Sequence, residues 1–108
     1  LLRIVTELFP DIELEGRDTE SYYSVLYQGK TNRWLFRYDV NRKRPTIQFN
    51  ISIDDSRKTE LERAGLEVQN NGQVFIEKPE HIYRMVGILR DSLEHCMNDE
   101  NFKRASNQ

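Results

Sequence analysis

The chain has 108 residues, of which 37% are hydrophobic and 31% charged, and a formal net charge of −2. This length provides for one hydrophobic core, and the single cysteine, Cys96, excludes an internal disulfide and a cysteine-based zinc site. No apolar stretch approaches the ~20 residues of a membrane span, and Leu1–Phe9 lacks the basic start and cleavage site of a signal peptide, so we expect a cytoplasmic protein without membrane contact.

The first part of the sequence predicts a helix followed by strands. The apolar residues of Leu1–Phe9 fall on one helical face, and Pro10 ends that helix. Ile12–Gly16 is short and is either a strand or a turn. Ser21–Gln28 is rich in aromatic and β-branched residues, which favours a strand. Because the sequence opens inside a helical pattern, we expect a fragment of a longer protein.

Two further runs, Arg33–Val40 and Thr46–Ile53, alternate between apolar and polar residues. We expect the apolar faces of both runs to point inward, and Leu35, Arg37 and Asp39 to lie on the opposite face. The inward residues of the two runs are Trp34, Phe36, Tyr38 and Val40, then Ile47, Phe49, Ile51 and Ile53. With Ser21–Gln28, the two runs predict a three-strand antiparallel meander.

The second half predicts a helix, a hairpin and a longer helix. Asp54 or Asp55 caps a short helix through Ala64 that Gly65 ends. Asn70-Asn71-Gly72 is a turn signal, so its flanking runs, Leu66–Gln69 and Gln73–Glu77, predict a hairpin. Pro79 begins the long helix, and its inward stripe comprises Ile82, Met85, Val86, Leu89, Leu93 and Cys96.

These elements predict a small two-layer α+β domain. An antiparallel sheet, made of the three-strand meander plus the hairpin, packs against N- and C-terminal helices. We expect residues 1–97 to form this single domain and residues 98–108 to form a polar C-terminal tail.

Catalytic chemistry finds little support in the sequence. A metal-dependent nuclease core needs carboxylates that converge on a divalent ion. Asp11 offers the first acidic residue of such a core. The other half needs an acidic residue and a lysine separated by one spacer residue, and Glu77-Lys78 lacks that spacer. His95 and Cys96 point about 100° apart on a helix, so we interpret Cys96 as a buried structural thiol. We therefore expect no catalytic residue, no cofactor and no metal ion in this chain, and keep a hydrolytic enzyme as a third hypothesis.

One segment is strongly basic. Residues 28–44 carry six bases against Asp39, a local charge of +5, whereas residues 1–20 carry six acids against two bases, a charge of −4. Basic side chains of this kind contact the phosphates of nucleic acids, and exposed aromatic side chains among them stack on nucleobases. A solvated surface and an interface to an acidic protein surface remain alternatives. The candidate nucleic-acid-binding residues are Lys30, Arg33, Arg37, Arg42, Lys43 and Arg44.

A longer motif supports this interpretation. The sequence GRDTESYYSVL at 16–26 is followed by Asn32-Arg33 and by FRYDVN at 36–41. It resembles the C-terminal domain of bacterial proteins that carry an N-terminal restriction-type endonuclease domain and are related to type I restriction enzymes. The similarity covers roughly residues 1–97. The insert from Ile53 to Gln69 is longer than in that family, and Arg42–Pro45 matches it loosely.

The resemblance implies a non-catalytic accessory domain of a bacterial restriction or defence nuclease, which contacts DNA or positions the nuclease domain. The catalytic residues of such an endonuclease would lie in its N-terminal domain, so none is transferred to this chain. Its partners would be DNA and the rest of the larger polypeptide. The alternative is a protein–protein interaction or homo-oligomerisation module without nucleic-acid contact. Arg17, Arg33 and Arg37 flank the predicted meander and would share one surface if strand pairing brings them together.

Overall fold

The computed structural model describes residues 1–41 and 43–103. Its strands form one antiparallel sheet in the order β1-β2-β3-β4-β5, and its helices include one near each end of the chain, so the predicted α+β class is confirmed. The helices are α1 (Leu2–Leu8), α2 (Asp55–Arg63) and α3 (Val86–Met97). The strands are β1 (Leu14–Asp18), β2 (Tyr23–Tyr27), β3 (Trp34–Asp39), β4 (Thr46–Phe49) and β5 (Val74–Phe75).

The predicted meander corresponds to β2, β3 and β4, and the sheet continues on both sides of it. The segment predicted as either strand or turn is a strand, since β1 pairs with β2 from Leu14 opposite Tyr27 to Asp18 opposite Tyr23. On the other side β5 pairs with β4. The predicted hairpin is present, because Val68 bridges to Val74 across the Asn-Gly turn.

A β-bulge at Leu35 changes the face of the sheet on which the side chain of Trp34, the first residue of β3, lies. Val25 is opposite Phe36, but the next residue, Leu26, is opposite Trp34, so Leu35 is an extra residue in β3. Leu35 and Phe36 both enter the core and are 0% exposed. The prediction that Trp34 points inward and Leu35 outward is therefore wrong, and its physical reason is that strict alternation fails at a bulge.

The helices pack on one face of the sheet. Residues of that face lie in the hydrophobic core with residues of α1, α2 and α3, and they are Val25, Phe36, Ile47, Phe49 and Val74. Tyr38, Ile51 and Ile53 pack against this core as predicted, but Val40 lies beyond the end of β3 and is 56% exposed. The inward prediction for Val40 is wrong because the strand pairing ends at Asp39.

We call the opposite face of the sheet the open face. In the described chain, the depressions on it are lined by residues of strands and turns. Strand pairing places on it Glu15, Arg17, Ser24, Leu26, Trp34, Arg37, Asp39, Thr46, Gln48 and Phe75. Three of them, Ser24, Leu26 and Thr46, are nevertheless buried. Larger side chains of the same face therefore cover part of it.

The ends of the helices follow local signals. Asp54 caps α2 by accepting a hydrogen bond from the Arg57 N–H, and Gly65 follows the helix with a φ of 84°, which favours glycine. The predicted long helix from Pro79 differs in its first half, where Pro79–Met85 is a 3₁₀ segment. Three residues per turn place Ile82 and Met85 on one side of that segment, and both are buried.

The start of the predicted polar tail folds back onto the domain. Asp99–Phe102 forms a 3₁₀ turn that Asn98 caps by accepting from the Glu100 N–H. Asp99 and Phe102 both contact Arg33, which precedes β3. Among the residues that the structure describes, no helix is long and apolar enough to cross a membrane.

Candidate functional site

Arg37 lies at the centre of the open face between two aromatic rings. Its guanidinium carbon is 4.1 Å from the centroid of the Trp34 ring and 4.7 Å from that of the Tyr22 ring. Both distances are within the about 6 Å at which a ring face attracts a cation. Trp34 reaches this position because the bulge at Leu35 places it on the face of Arg37. We call Tyr22, Arg37 and Trp34 the Arg37 stack.

The guanidinium of Arg37 has an unused hydrogen-bonding group. Its Nε is buried and has no hydrogen-bond partner among residues 1–41 and 43–103. An unsatisfied buried donor costs about 1–3 kcal/mol, and such groups are rare in native structures. Arg37 therefore combines a positive charge between two rings with a buried donor that has no partner in the described chain.

A depression of about 300 Å³ lies on one side of the stack and is strongly cationic. Arg17 on β1 and Arg37 on β3 line it from two strands, with β2 between them. Leu26 and four hydroxyl-bearing residues also line it, and the latter are Thr19, Tyr22, Ser24 and Thr31. The Thr19 hydroxyl already donates to the Tyr22 carbonyl at 2.8 Å. Two arginines with hydroxyl groups beside them suit a phosphate group.

A smaller depression of about 180 Å³ lies on the other side of Arg37 and differs in character. Gln48 on β4 and Gln73 before β5 present side-chain amides there. Thr46 is buried, with 2% of its surface exposed, and its hydroxyl donates a long hydrogen bond of 3.5 Å to Gln73 Oε1. Amides both donate and accept, and the Asp39 carboxylate also lines this side, so it suits an uncharged group that offers hydrogen-bond donors.

Arg33, predicted as a nucleic-acid contact, lies away from the open face. Its guanidinium is 2.7 Å from the Asp99 carboxylate, donates to the Cys96 carbonyl at 3.2 Å, and lies 4.6 Å from the centroid of the Phe102 ring. The hydrogen bond from Arg33 lowers the pKa of Asp99 below the usual value of a carboxyl group. Arg33 thus holds the C-terminal turn, and its side chain is only 11% exposed.

The other predicted bases are spread over both ends of β3. Arg44 donates to Glu77 at 2.9 Å and to Glu67 at 3.3 Å, and it covers the Phe75 ring at 3.9 Å. Lys30 and Lys43 are exposed in the turns before and after β3, whereas Arg42 lies outside the described residues. The basic segment therefore does not form one cluster: Arg37 lies on β3 within the open face, whereas Arg44 covers the open-face residue Phe75 at the edge of the sheet.

The candidate catalytic groups of the sequence are not brought together. Cys96 is 0% exposed, which confirms it as a buried thiol, and burial raises its pKa to about 11 despite the nearby Arg33 charge. Its Sγ donates to the Trp34 carbonyl at 3.4 Å. In the described part of the chain, no three His, Cys, Asp or Glu side chains lie close enough to hold a metal ion.

Sequence reasoning missed the amide side of the site. Gln48 and Gln73 belong to separate runs, and only the pairing of β4 with β5 and the turn before β5 bring them to one depression. The alternation of apolar and polar residues in Thr46–Ile53 nevertheless predicted that Gln48 lies on the outward, polar face. Arg17 and Tyr22 fall inside the motif at 16–26; the sequence singled out Arg17 but did not distinguish Tyr22 from an ordinary sheet residue.

In comparisons with known proteins, no family model, no curated protein and no solved structure matches this chain.

Proposed function

We propose that this chain is a non-catalytic module that binds unpaired nucleic acid on its open face. The observation that carries the proposal is the Arg37 stack beside Arg17, because it joins aromatic rings and two positive charges on one surface. Sheet faces that bind single strands use this combination, with rings that stack on bases and arginines that contact phosphates.

The shape of the site favours an unpaired strand over a duplex. Reading a duplex requires an element that enters a groove, such as a helix or a two-stranded ribbon. The Arg37 stack instead lies in the middle of a sheet, and the shallow depressions on either side suit groups that project from a flexible strand. Stacking on each ring contributes about 1–3 kcal/mol per base.

The same proposal gives the chain a biological setting. The motif at 16–26 supports an accessory role in a bacterial restriction or defence nuclease, where this module would hold a displaced or unwound strand near a separate nuclease domain. Such a protein would act in the cytoplasm, with DNA and the rest of the larger polypeptide as its partners.

Fluorescence anisotropy with labelled oligonucleotides of about ten nucleotides tests the proposal. Single-stranded DNA should bind more tightly than the matching duplex, and the affinity should fall about sevenfold between about 50 and about 200 mM salt if two phosphates are neutralised. Arg37→Ala should weaken binding about tenfold. Arg90→Ala is the matched control, because Arg90 is exposed on α3, and it should leave the affinity unchanged.

Absence of single-strand binding at the lower salt concentration would contradict the proposal. The alternative, a protein–protein or homo-oligomerisation module, would then be tested by light scattering. One form of that alternative, strand addition at β1, is opposed by the charged residues of this edge strand.

A further inference from the structure

The two depressions beside Arg37 differ in chemistry, and this difference carries an inference about what each one holds. The larger is lined by Arg17, Arg37 and hydroxyl groups. The smaller is lined by Thr46, Gln48 and Gln73, together with Ser21 and the Asp39 carboxylate. Tyr22 and Arg37 line both, so the two depressions are adjacent halves of one site.

The amide half has the size and groups of a base-reading pocket. Its volume of about 180 Å³ is six times the about 30 Å³ that one water molecule occupies, and it is below the about 300–1,000 Å³ of pockets for drug-sized ligands. It therefore has room for a small group rather than for a drug-sized ligand. Side-chain amides read the edge of a base through paired donor and acceptor contacts, and Thr46 orients one of them by donating to Gln73 Oε1.

The arginine half suits the phosphate of the same nucleotide. Arg37 lines both halves, so its guanidinium can contact a phosphate on one side while Gln48, opposite it on β4, and Gln73 contact a base on the other. Arg17 adds a second charge across β2. Phosphate contacts of this kind position a nucleic acid without reading its sequence.

We infer that the open face reads one unpaired nucleotide, with its phosphate on Arg17 and Arg37 and the hydrogen-bonding edge of its base on Gln48 and Gln73. This inference rests on the proposed function, and it adds that binding is selective for the base. The two halves then have separable roles, since one sets affinity and the other sets selectivity.

The test compares oligo-dA, oligo-dC and oligo-dT of about ten nucleotides by anisotropy at one low salt concentration. The unmodified chain should prefer one of the three by about tenfold, the discrimination that one well-placed amide contact provides. Gln48→Ala and Gln73→Ala should each remove most of that preference. Gln69→Ala, in the hairpin turn outside this site, is the control and should preserve it. Arg17→Ala should weaken all three complexes equally and reduce the salt slope by about 0.7.

Each contrary result has a distinct meaning. Equal binding of the three oligonucleotides, or a preference that survives both glutamine substitutions, would overturn the inference and leave the proposed function standing. If Arg17→Ala changed the preference and the glutamine variants weakened all complexes equally, the assignment of the halves would also be wrong. No binding of any oligonucleotide would overturn both. Gln48 is exposed, so Gln48→Ala should fold normally even if Gln73→Ala does not.

Discussion

Arg37 carries an unsatisfied donor in a position where packing alone does not require an arginine. Its Nε is buried without a partner in the described chain, and its guanidinium lies between Tyr22 and Trp34. The cation–π contacts stabilise this arrangement by about 0.5–2 kcal/mol, whereas the unsatisfied donor costs about 1–3 kcal/mol. The two effects nearly cancel, so the arginine contributes little to the stability of the unliganded fold.

Replacement of Arg37 by methionine should therefore separate stability from binding. Arg37→Met keeps an unbranched stem between the rings and removes both the charge and the unsatisfied donor. We expect the free energy of unfolding in urea to stay within about 1 kcal/mol of its original value, while oligonucleotide affinity falls about tenfold. A loss of more than about 2 kcal/mol in stability would show that Arg37 is mainly a structural residue.

Cys96 offers a second prediction at this scale. Burial raises the pKa of its thiol to about 11, so the neutral thiol predominates at pH 8 and little thiolate is present to react. We expect iodoacetamide to label Cys96 in urea but not in the folded protein, as measured by intact mass. Rapid labelling of the folded protein at pH 8 would contradict the packing of α3 against β3.

At the scale of elements, the bulge in β3 decides which face Trp34 occupies. Ser92 on α3 is 0% exposed, and its hydroxyl donates to the Leu35 carbonyl at 2.6 Å. Ser92→Ala would leave that carbonyl without this donor, so we expect a loss of about 1–3 kcal/mol in the free energy of unfolding. Ser56→Ala, on the exposed side of α2, should change it by less than about 0.5 kcal/mol. Equal effects of the two substitutions would contradict the proposed role of Ser92.

The contact between Arg33 and the C-terminal turn gives a pH-dependent prediction. The hydrogen bond and charge of Arg33 lower the pKa of Asp99 in the folded protein. The ion pair therefore contributes stability at pH values above the ordinary carboxyl pKa of about 3.9 and loses it as the pH falls through the lower folded value. Carboxyl NMR titration should place Asp99 below that ordinary value and, in Arg33→Gln, return it there. An unchanged midpoint in the variant would contradict the ion pair.

For the whole molecule, local sequence patterns predicted most of the architecture but left Ile12–Gly16 undecided between a strand and a turn. Alternation, the Asn-Gly turn and the helical stripes predicted the meander, the hairpin and the terminal helices, because each depends on neighbouring residues. Alternation cannot reveal a bulge, because the extra residue Leu35 is accommodated by contacts with α3, which is distant in sequence. One such contact comes from Ser92, 57 residues further along the chain. The face of Trp34 was therefore mispredicted.

The candidate site was predicted in part for the same reason. Arg37 and Arg17 were singled out, but charge counts could not show that Arg33 and Arg44 are paired with acids distant in sequence, such as Asp99 and Glu77. A basic segment with a local charge of +5 is thereby divided among separate surfaces. Pairing of distant residues depends on the complete fold. Only the structure therefore shows that Arg33 and Arg44 form ion pairs, whereas Arg37 lies on the open face.

The measurement that tests the central claim most directly is a two-dimensional amide NMR titration with single-stranded DNA. The account predicts that shift changes cluster on outward positions of the sheet, at Arg17, Ser24, Arg37 and Gln48, together with the side-chain N–H of Trp34, and leave α2 and α3 unchanged. Shift changes confined to the helices, or around Arg33 and the C-terminal turn, would contradict it.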